Sequence, residues 1–326
     1  MIKNKNICLL YIASWIVLFL SACNTITEDL EPCTSTLTFR YEYNMKFVDA
    51  FPQEVKKIDV YVFDEHNRYI TTLSEERNLG DGSLSIPLNL PEGKYHFIAW
   101  AGLYPQSYEF NHSFDTQNLT PEKLHVKMLR SQNGIQNSQL EDLWHGEATV
   151  ELSYDESRVI VIELTKDTNR FRVIVQGSEG MDLNASDIQV SITDRNGWLA
   201  ADNSLLPDDE ITYLPYYHTK TDVSSTANQK QPATVSELNT LRLIETQHPR
   251  MVIRTSSGEV LVDIDLIQYL LLTKMEGHQM PPQEYLDRQD EYALIFFLNK
   301  DNASGKYLLV QIKINGWIIR PQSGEL

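Results

Sequence analysis

The residue with the clearest chemistry in this chain of 326 residues is Cys23. It closes the string Leu20-Ser21-Ala22-Cys23, which follows a short basic start (Lys3, Lys5) and an apolar run from Ile7 to Leu20 broken only by Ser14. The run is short for a membrane-spanning helix, which needs ~20 residues, and it suits the apolar part of a signal peptide ahead of a small-residue cleavage site. A generic signal peptidase requires small residues before the cut but no cysteine after it. A bacterial lipobox requires both, because the thiol is the nucleophile that accepts a diacylglycerol. Residues 1–22 are therefore expected to be a signal peptide, with Cys23 as the acylated first residue of the mature protein. At ~0.8 kcal/mol per buried methylene, more than one acyl chain holds a protein stably on a membrane.

Elsewhere the residue types of catalysis stand apart from one another. No Gly-x-Ser-x-Gly elbow, Gly-rich phosphate loop or His-Glu-x-x-His pair occurs. The eight His are scattered singly. His145, beside Trp144 and Gly146, has no partner in the sequence and reads as a packing or hydrogen-bonding residue. Asp208-Asp209-Glu210 lacks the spaced ligands of a calcium loop and reads as a solvated acidic turn. Asp263 and Asp265, at the start of an apolar helical run, read as groups that cap it and oppose its positive end. Of the three cysteines, Cys8 leaves with the signal peptide and Cys23 is consumed by the lipid. Cys33 is left without an intramolecular partner, as a free thiol. The sequence points to no enzyme, cofactor or metal.

Charge excludes further classes. Lys3 and Lys5 are the only charged side chains before Cys23, so cleavage takes the formal charge from −17 to −19. So acidic a protein is repelled by phosphate backbones, which argues against nucleic acid as a partner. Membrane residence must then come from the acyl chains rather than from charge.

The elements that must position any contact surface are strands. Residues 24–35 are polar and acidic and read as a lipidated tether. From Thr36 to Tyr43 the pattern alternates, with Leu37, Phe39, Tyr41 and Tyr43 on one face and Thr38, Arg40 and Glu42 on the other. Ile58, Val60 and Val62 alternate against Asp59 and Tyr61, and Leu84 to Leu90 repeats the pattern. Pro91-Glu92-Gly93 is a turn, and Tyr95–Ala101, Thr149–Tyr154 and Val159–Leu164 add further strands. Lys166-Asp167-Thr168-Asn169 interrupts the alternation, and a domain boundary is expected there. Beyond it, Phe171–Gln176 and Ile188–Ile192 alternate, and Asn196-Gly197 signals a hairpin. Residues 219–240 read as a long polar loop. Ile264–Lys274 is an apolar run with helical spacing, Pro281–Asp290 reads as a short capped turn, and Tyr292–Leu298 and Tyr307–Ile319 read as closing strands. Many short strands with sparse helix predict an all-β chain of two tandem β-sandwich domains, residues 36–166 and 167–326.

Several strings spread along the mature chain resemble one family. They are Phe39-Arg40-Tyr41-Glu42-Tyr43-Asn44-Met45-Lys46-Phe47-Val48-Asp49-Ala50-Phe51, Val60-Tyr61-Val62-Phe63-Asp64, Leu90-Pro91-Glu92-Gly93-Lys94-Tyr95 and Ala99-Trp100-Ala101-Gly102. Later come Leu143-Trp144-His145-Gly146, Leu164-Thr165-Lys166-Asp167-Thr168-Asn169, Tyr285-Leu286-Asp287-Arg288-Gln289-Asp290-Glu291-Tyr292 and Ile314-Asn315-Gly316-Trp317. In this order, after a lipobox, they resemble the fimbrial anchoring subunits (minor fimbrium anchoring, FimB-like) of Bacteroidales type V pili.

The resemblance implies two transthyretin-like β-sandwiches and no catalytic residues. It implies a lipidated subunit at the base of a fimbrium, which holds the shaft to the outer membrane and limits its length through strand addition. Shaft subunits of such pili lose a first strand by proteolysis at a basic residue. Here Arg40 lies inside a regular strand pattern, as suits an anchor that keeps its first strand. Glu28 and Asp29 resemble the surface-export signal of lipoproteins in these bacteria. For the partner contact, Trp317, Ile318 and Ile319 are the candidates, either as an ordinary last strand or as a mobile end beyond Gly316 that fills a shaft subunit's groove. The competing reading is a surface lipoprotein module that binds glycan or host protein through Trp198, Tyr213, Tyr216 and Tyr217.

Overall fold

The computed structural model describes residues 34–110, 118–178, 181, 183–226, 229–274, 280–301 and 306–319. The signal segment, Cys23, Cys33 and nearly all of the tether lie outside the described residues. The first half of the chain runs β1 (Ser35–Arg40), α1 (Phe51–Glu54), β2 (Lys57–Asp64), β3 (Tyr69–Glu76), β4 (Ser85–Leu88) and β5 (Gly93–Ala101). It continues through β6 (Tyr108–Phe110), β7 (Val126–Met128), β8 (Ile135–Gln136), β9 (Trp144–Leu152), β10 (Val159–Glu163) and β11 (Thr165–Lys166). Then follow β12 (Thr168–Gly177), β13 (Ile188–Asp194), β14 (Trp198–Leu199), β15 (Ile211–Tyr213), β16 (Tyr217–Thr226) and β17 (Gln229–Leu241). The chain closes with β18 (Arg250–Thr255), β19 (Val260–Asp265), α2 (Leu266–Leu271), α3 (Pro282–Arg288), β20 (Glu291–Lys300), β21 (Tyr307–Ile314) and β22 (Trp317–Ile319).

The first sandwich packs a three-stranded sheet, ordered β10-β1-β4, on a five-stranded sheet, β11-β9-β5-β2-β3. Alternation fills the space between them: Leu37 and Phe39 of β1, Ile86 and Leu88 of β4 and Ile160 and Ile162 of β10 point inward. They meet Ile58, Val60, Val62, Phe97 and Ala99 of the facing sheet. The other face of that sheet, which carries Asp59 and Tyr61, is not left to solvent. Tyr61, Phe63, Ile98 and Trp100 are buried there in a second cluster. The five-stranded sheet is therefore covered on both faces, which is why β2 and the end of β5 read as continuous apolar runs.

What covers the second face is the segment between β5 and β9, and it does not stay with its own half. Its β7 pairs with β14, and its β8 pairs parallel with β15. β8 thus becomes the edge of the sheet ordered β19-β18-β13-β15-β8, which faces a six-stranded sheet, β16-β17-β12-β20-β21-β22. Phe171, Val173 and Val175 of β12, Leu294 and Phe296 of β20, and Val190 and Ile192 of β13 share this second core with Tyr61 and Trp100. One apolar cluster therefore joins both sandwiches.

Two local expectations fail, each for a physical reason. Residues 219–240 form β16 and β17 rather than a loop, because threonine and valine fit a pleated surface as readily as a loop. Asn196-Gly197 makes no two-residue hairpin, since β13 pairs with β15 and β18 while β14 joins a different sheet. Asn196 is instead buried, its amide donating to the Leu241 and Arg242 carbonyls at 3.0 Å. A Cβ on Gly197 would lie 2.4 Å from Ile211 Cδ1 and 2.7 Å from Arg130 Nη1, so glycine is there for close approach. The polar run 166–169, where the alternation is interrupted, is buried throughout: Lys166, Asp167, Thr168 and Asn169 lie on β11 and β12 and the single residue between them.

Candidate functional site

The C-terminal residues singled out from sequence lie on an open sheet edge. Asn315 and Gly316 take φ of 47° and 90°, the backbone of a tight two-residue hairpin turn. The chain reverses there, and β22 pairs back on β21 with Trp317 facing Ile314, Ile318 facing Lys313 and Ile319 facing Ile312. Gly316 is a turn residue, not a hinge inside one strand. Asn315 also exchanges hydrogen bonds with Ala293, its N–H donating to the carbonyl at 2.9 Å and its Oδ1 accepting from the amide at 2.8 Å. Trp317 and Ile318 are 52% and 58% exposed.

The alternation expected along β21 changes phase. Its register against β20 slips between Phe297 and Leu298, which leaves Val310 as an extra residue. Ile312 and Ile314 face the core, but beyond the bulge Tyr307 and Leu309 pack inward and Leu308 and Val310 face solvent. The result is four apolar side chains, Leu308, Val310, Trp317 and Ile318, each more than half exposed on the last hairpin.

A second site, missed from sequence, is the polar junction between the sandwiches. Lys166 donates to Asp290 at 2.8 Å and to Glu54 at 3.3 Å, and stands 3.3 Å from Asp142. Its ammonium also lies over the Trp144 ring, 5.3 Å from the centroid. Burial alone would lower the Lys166 pKa, but Asp142, Asp290 and Glu54 outweigh it and raise it above the ordinary lysine value. Next to it, fully buried Asp167 accepts from Asn203 at 2.8 Å and its N–H donates to the Leu143 carbonyl at 2.7 Å. Burial pushes the Asp167 carboxyl up to about 7, against the opposing pull of Arg242 and Asn203. Arg242 in turn grips Asp287 of α3 with bonds of 2.8 and 2.9 Å. The Arg288 guanidinium stacks between the Tyr43 and Phe47 rings, at 4.1 and 4.8 Å, and pins the loop after β1 to α3. An open cleft of about 900 Å³ runs beside this junction, lined by Tyr41, Tyr104 and Gln289 as well as the Lys166 carboxylates. One sequence signal pointed here: the run 166–169 holds four hydrogen-bonding residues and neither Gly nor Pro, unlike a surface turn.

The remaining candidates disperse. His145 is buried, lies 4.7 Å from the Trp100 ring and donates to the Ala201 carbonyl at 2.7 Å. Burial pushes it down to about 4, so it stays neutral at physiological pH. Asp208 is not a solvated loop residue: its side chain is 3% exposed under a two-pronged Arg130 contact at 2.6 Å. Asp265 caps α2 by accepting from Gln268 N–H at 3.2 Å, whereas Asp263 pairs with Arg250 at 2.7 Å. The four aromatics of the competing reading do not converge. Tyr213 is buried and bonded to Asn196, and Trp198 lies under Lys127 on another sheet. Tyr216 donates to Glu237, and only Tyr217 is half exposed. Among the described residues no group of three His, Cys, Asp or Glu is placed to hold a metal ion, and no helix is long and apolar enough to cross a membrane.

Two β-sandwiches that share one apolar cluster, with a polar junction between them and an exposed apolar edge, define the class of fold. Residues 30–323 match the model of the fimbrillin-A associated anchor proteins Mfa1 and Mfa2, and the chain belongs to that family. A candidate polysaccharide-binding protein of Bacteroides thetaiotaomicron is 36% identical, with a TM-score of 0.77 over 89% of this chain and 99% of that one. A candidate adhesin from the same species is 29% identical, with a TM-score of 0.78 over 90% and 99%. The fimbrial anchor protein Mfa2 of Porphyromonas gingivalis shares the fold at 19% identity, with a TM-score of 0.68 over 90% and 100%. Among curated proteins no match is found. Family membership supports a role in fimbrial anchoring or adhesion at the cell envelope, and the family associates with a fimbrial shaft subunit.

Proposed function

We propose that this chain is the lipid-anchored base subunit of a fimbrium. Acylation at Cys23 holds it in the outer membrane, facing the cell exterior, and the folded part captures the first shaft subunit by strand addition and so limits shaft length. The role requires no cofactor and no catalysis. The observation that carries the reading is that β1 is built into the first sandwich, flanked by β10 on one side and β4 on the other. Arg40 ends that strand facing Glu163 and paired with Glu42, so the basic residue stands at a finished strand end. A subunit that keeps its own first strand leaves no groove there for a partner, which suits the end of a polymer. The contact offered to the shaft is then the last hairpin, with Trp317, Ile318 and Ile319. Among the described residues β22 is the edge of its sheet, and the exposed side chains of Trp317 and Ile318 stand beside it. A glycan-binding role is less well supported, because its four aromatics lie on separate surfaces or in the core.

Cys23→Ala removes the thiol that takes the lipid. The expected outcome is loss of the protein from the outer-membrane fraction and shedding of fimbriae into the medium, read by immunoblot of both. A Cys23→Ala protein that still fractionates with the outer membrane and retains fimbriae would falsify the anchoring reading.

A further inference from the structure

We propose that the fold is a tension-bearing element, with two pairs of parallel strands, β1/β10 and β12/β20, standing in series between the tether and the C-terminal hairpin and loaded in shear. The direction of load rests on the anchoring reading; the strand geometry does not. When a pair of parallel strands is pulled from the start of one and the end of the other, the force runs along the strands and every ladder bond shares it. When the same pair is pulled from one end, or when a hairpin is pulled from its open end, the bonds break one at a time.

Parallel pairing is rare in this molecule. Among the described strands the parallel pairs are β1/β10, β12/β20 and the short β8/β15. The first two lie on the direct covalent path. β1 faces β10 from Thr36–Val159 to Arg40–Glu163. The start of β1 continues toward the tether, and the end of β10 continues through β11 into the second sandwich. A membrane-held tether therefore pulls the start of β1, while everything beyond it pulls the end of β10. The arrangement repeats at β12, which receives the load at Thr168 and faces β20 from Arg170–Glu291 to Gly177–Leu298. The end of β20 leads into β21 and the last hairpin.

Packing resists slippage in the first pair. Leu37 and Phe39 are 0% and 2% exposed, so moving β1 by one residue would exchange them for Thr36 and Thr38. The junction sits between the two pairs. Lys166, at the end of β11, bonds to Glu54 of the first sandwich and to Asp290, the residue before β20. The Arg170 N–H donates to the Asp290 carbonyl at 2.7 Å. These bonds tie the exit of the first pair to the entrance of the second. By contrast β22 has β21 as its one partner among the described strands and pairs with it over three positions, so a pull at its end detaches it at low force.

Single-molecule force spectroscopy on the signal-free, otherwise full-length chain carrying Cys23→Ala tests this. With handles at the two chain ends, a low-force opening of β22 precedes a high-force rupture. With handles on cysteines replacing Thr34 and Ser157, which meet at the adjacent starts of β1 and β10 through a 2.8 Å bond, the same pair is unzipped. The rupture force is expected to be several-fold higher in the end-to-end geometry; equal forces overturn the proposal. A second variant, Thr38→Cys with Val161→Cys, staples facing residues on the outward face of the pair. Oxidation is expected to shorten the end-to-end extension by the stretch that β1 releases, and reduction to restore it. An unchanged extension would place the high-force event elsewhere and overturn the assignment to β1/β10. Equal forces alongside fimbrial shedding by Cys23→Ala would remove the clamp alone. A high shear force without shedding would remove the anchoring reading alone.

Discussion

The first and last strands of the described chain are built in opposite ways. β1 lies between two partners, points Leu37 and Phe39 into a core, and is paired along its whole length. β22 has one partner, pairs over three positions, and leaves Trp317 and Ile318 more than half exposed. β1 (Ser-Thr-Leu-Thr-Phe-Arg) alternates polar and apolar residues and β22 (Trp-Ile-Ile) is wholly apolar, so apolar content does not decide which strand is held more firmly. What separates them is the number of neighbours, which sets how much each contributes to stability and how easily each can be exchanged for a strand from another molecule. An end that must hold a load benefits from the first arrangement, and an end that must meet a partner benefits from the second.

The contrast assumes that both ends belong to one interlocked body, and the largest effect comes from breaking that body. Between Lys166 and Asp167 the chain can be divided into residues 34–166 and 167–326, the sandwich boundary proposed from sequence. Expressed alone, the first part keeps the segment that covers Tyr61, Ile98 and Trp100 but leaves its strands β7 and β8 without β14 and β15 and its apolar side chains without the rest of the shared cluster. Neither part is expected to show cooperative unfolding or near-ultraviolet dichroism alone, and co-expression should restore both. Two halves that each fold independently would mean the shared cluster is a docked interface, and the two ends would then have to be compared as parts of separate domains.

The junction offers a smaller, pH-dependent effect. Asp167 has its pKa raised from 3.8 to about 7 by burial, so the folded protein keeps a proton in that window where the unfolded chain has released it. Its contribution to stability therefore falls as pH rises from about 4 to 7 and stays lost above that. Asp167→Asn removes the linkage. Urea unfolding across this range should show the variant near wild type at pH 4 and more stable by on the order of 2 kcal/mol at pH 8. A constant difference at every pH would show that Asp167 does not titrate in this window. If the junction lies on the load path, the same variant should also raise the end-to-end rupture force at pH 8 and leave it unchanged at pH 4.

The smallest effect falls on the last strand. Truncation after Asn315 removes the exposed side chains of Trp317 and Ile318 and one edge of the described ladder, so its cost in thermal or urea stability is expected within about 1 kcal/mol. Phe39→Ala, at the other end, should cost ~3–5 kcal/mol because it empties a packed core position. Truncation should nonetheless abolish capture of a purified shaft subunit in a pull-down. Intact capture by the truncated protein would move the partner contact off the hairpin, and a stability loss as large as that of Phe39→Ala would make β22 part of the core.

Much of this was legible because it is local. Period-two alternation is set by which way successive side chains leave the backbone, so β1, β4, β5, β10, β13 and β20 could be read from their own residues. The string read as a lipobox, and the tether proposed after it, are likewise readings that draw on no fold around them, and the −17 charge constrains partners whatever the topology. The tertiary structure decided what depends on residues far away in the chain. Lys166 to Asn169 looked like a break because four polar residues in a row signal solvent, yet Glu54, Asp142, Asn203, Leu241 and Asp290 supply the bonds that let them be buried. The second face of β2 is covered only because residues 103–143 cross into the other sandwich. The unbroken alternation of Leu308, Val310, Ile312 and Ile314 concealed a bulge at Val310, since a register slip belongs to the pair of strands and leaves no mark on either sequence alone.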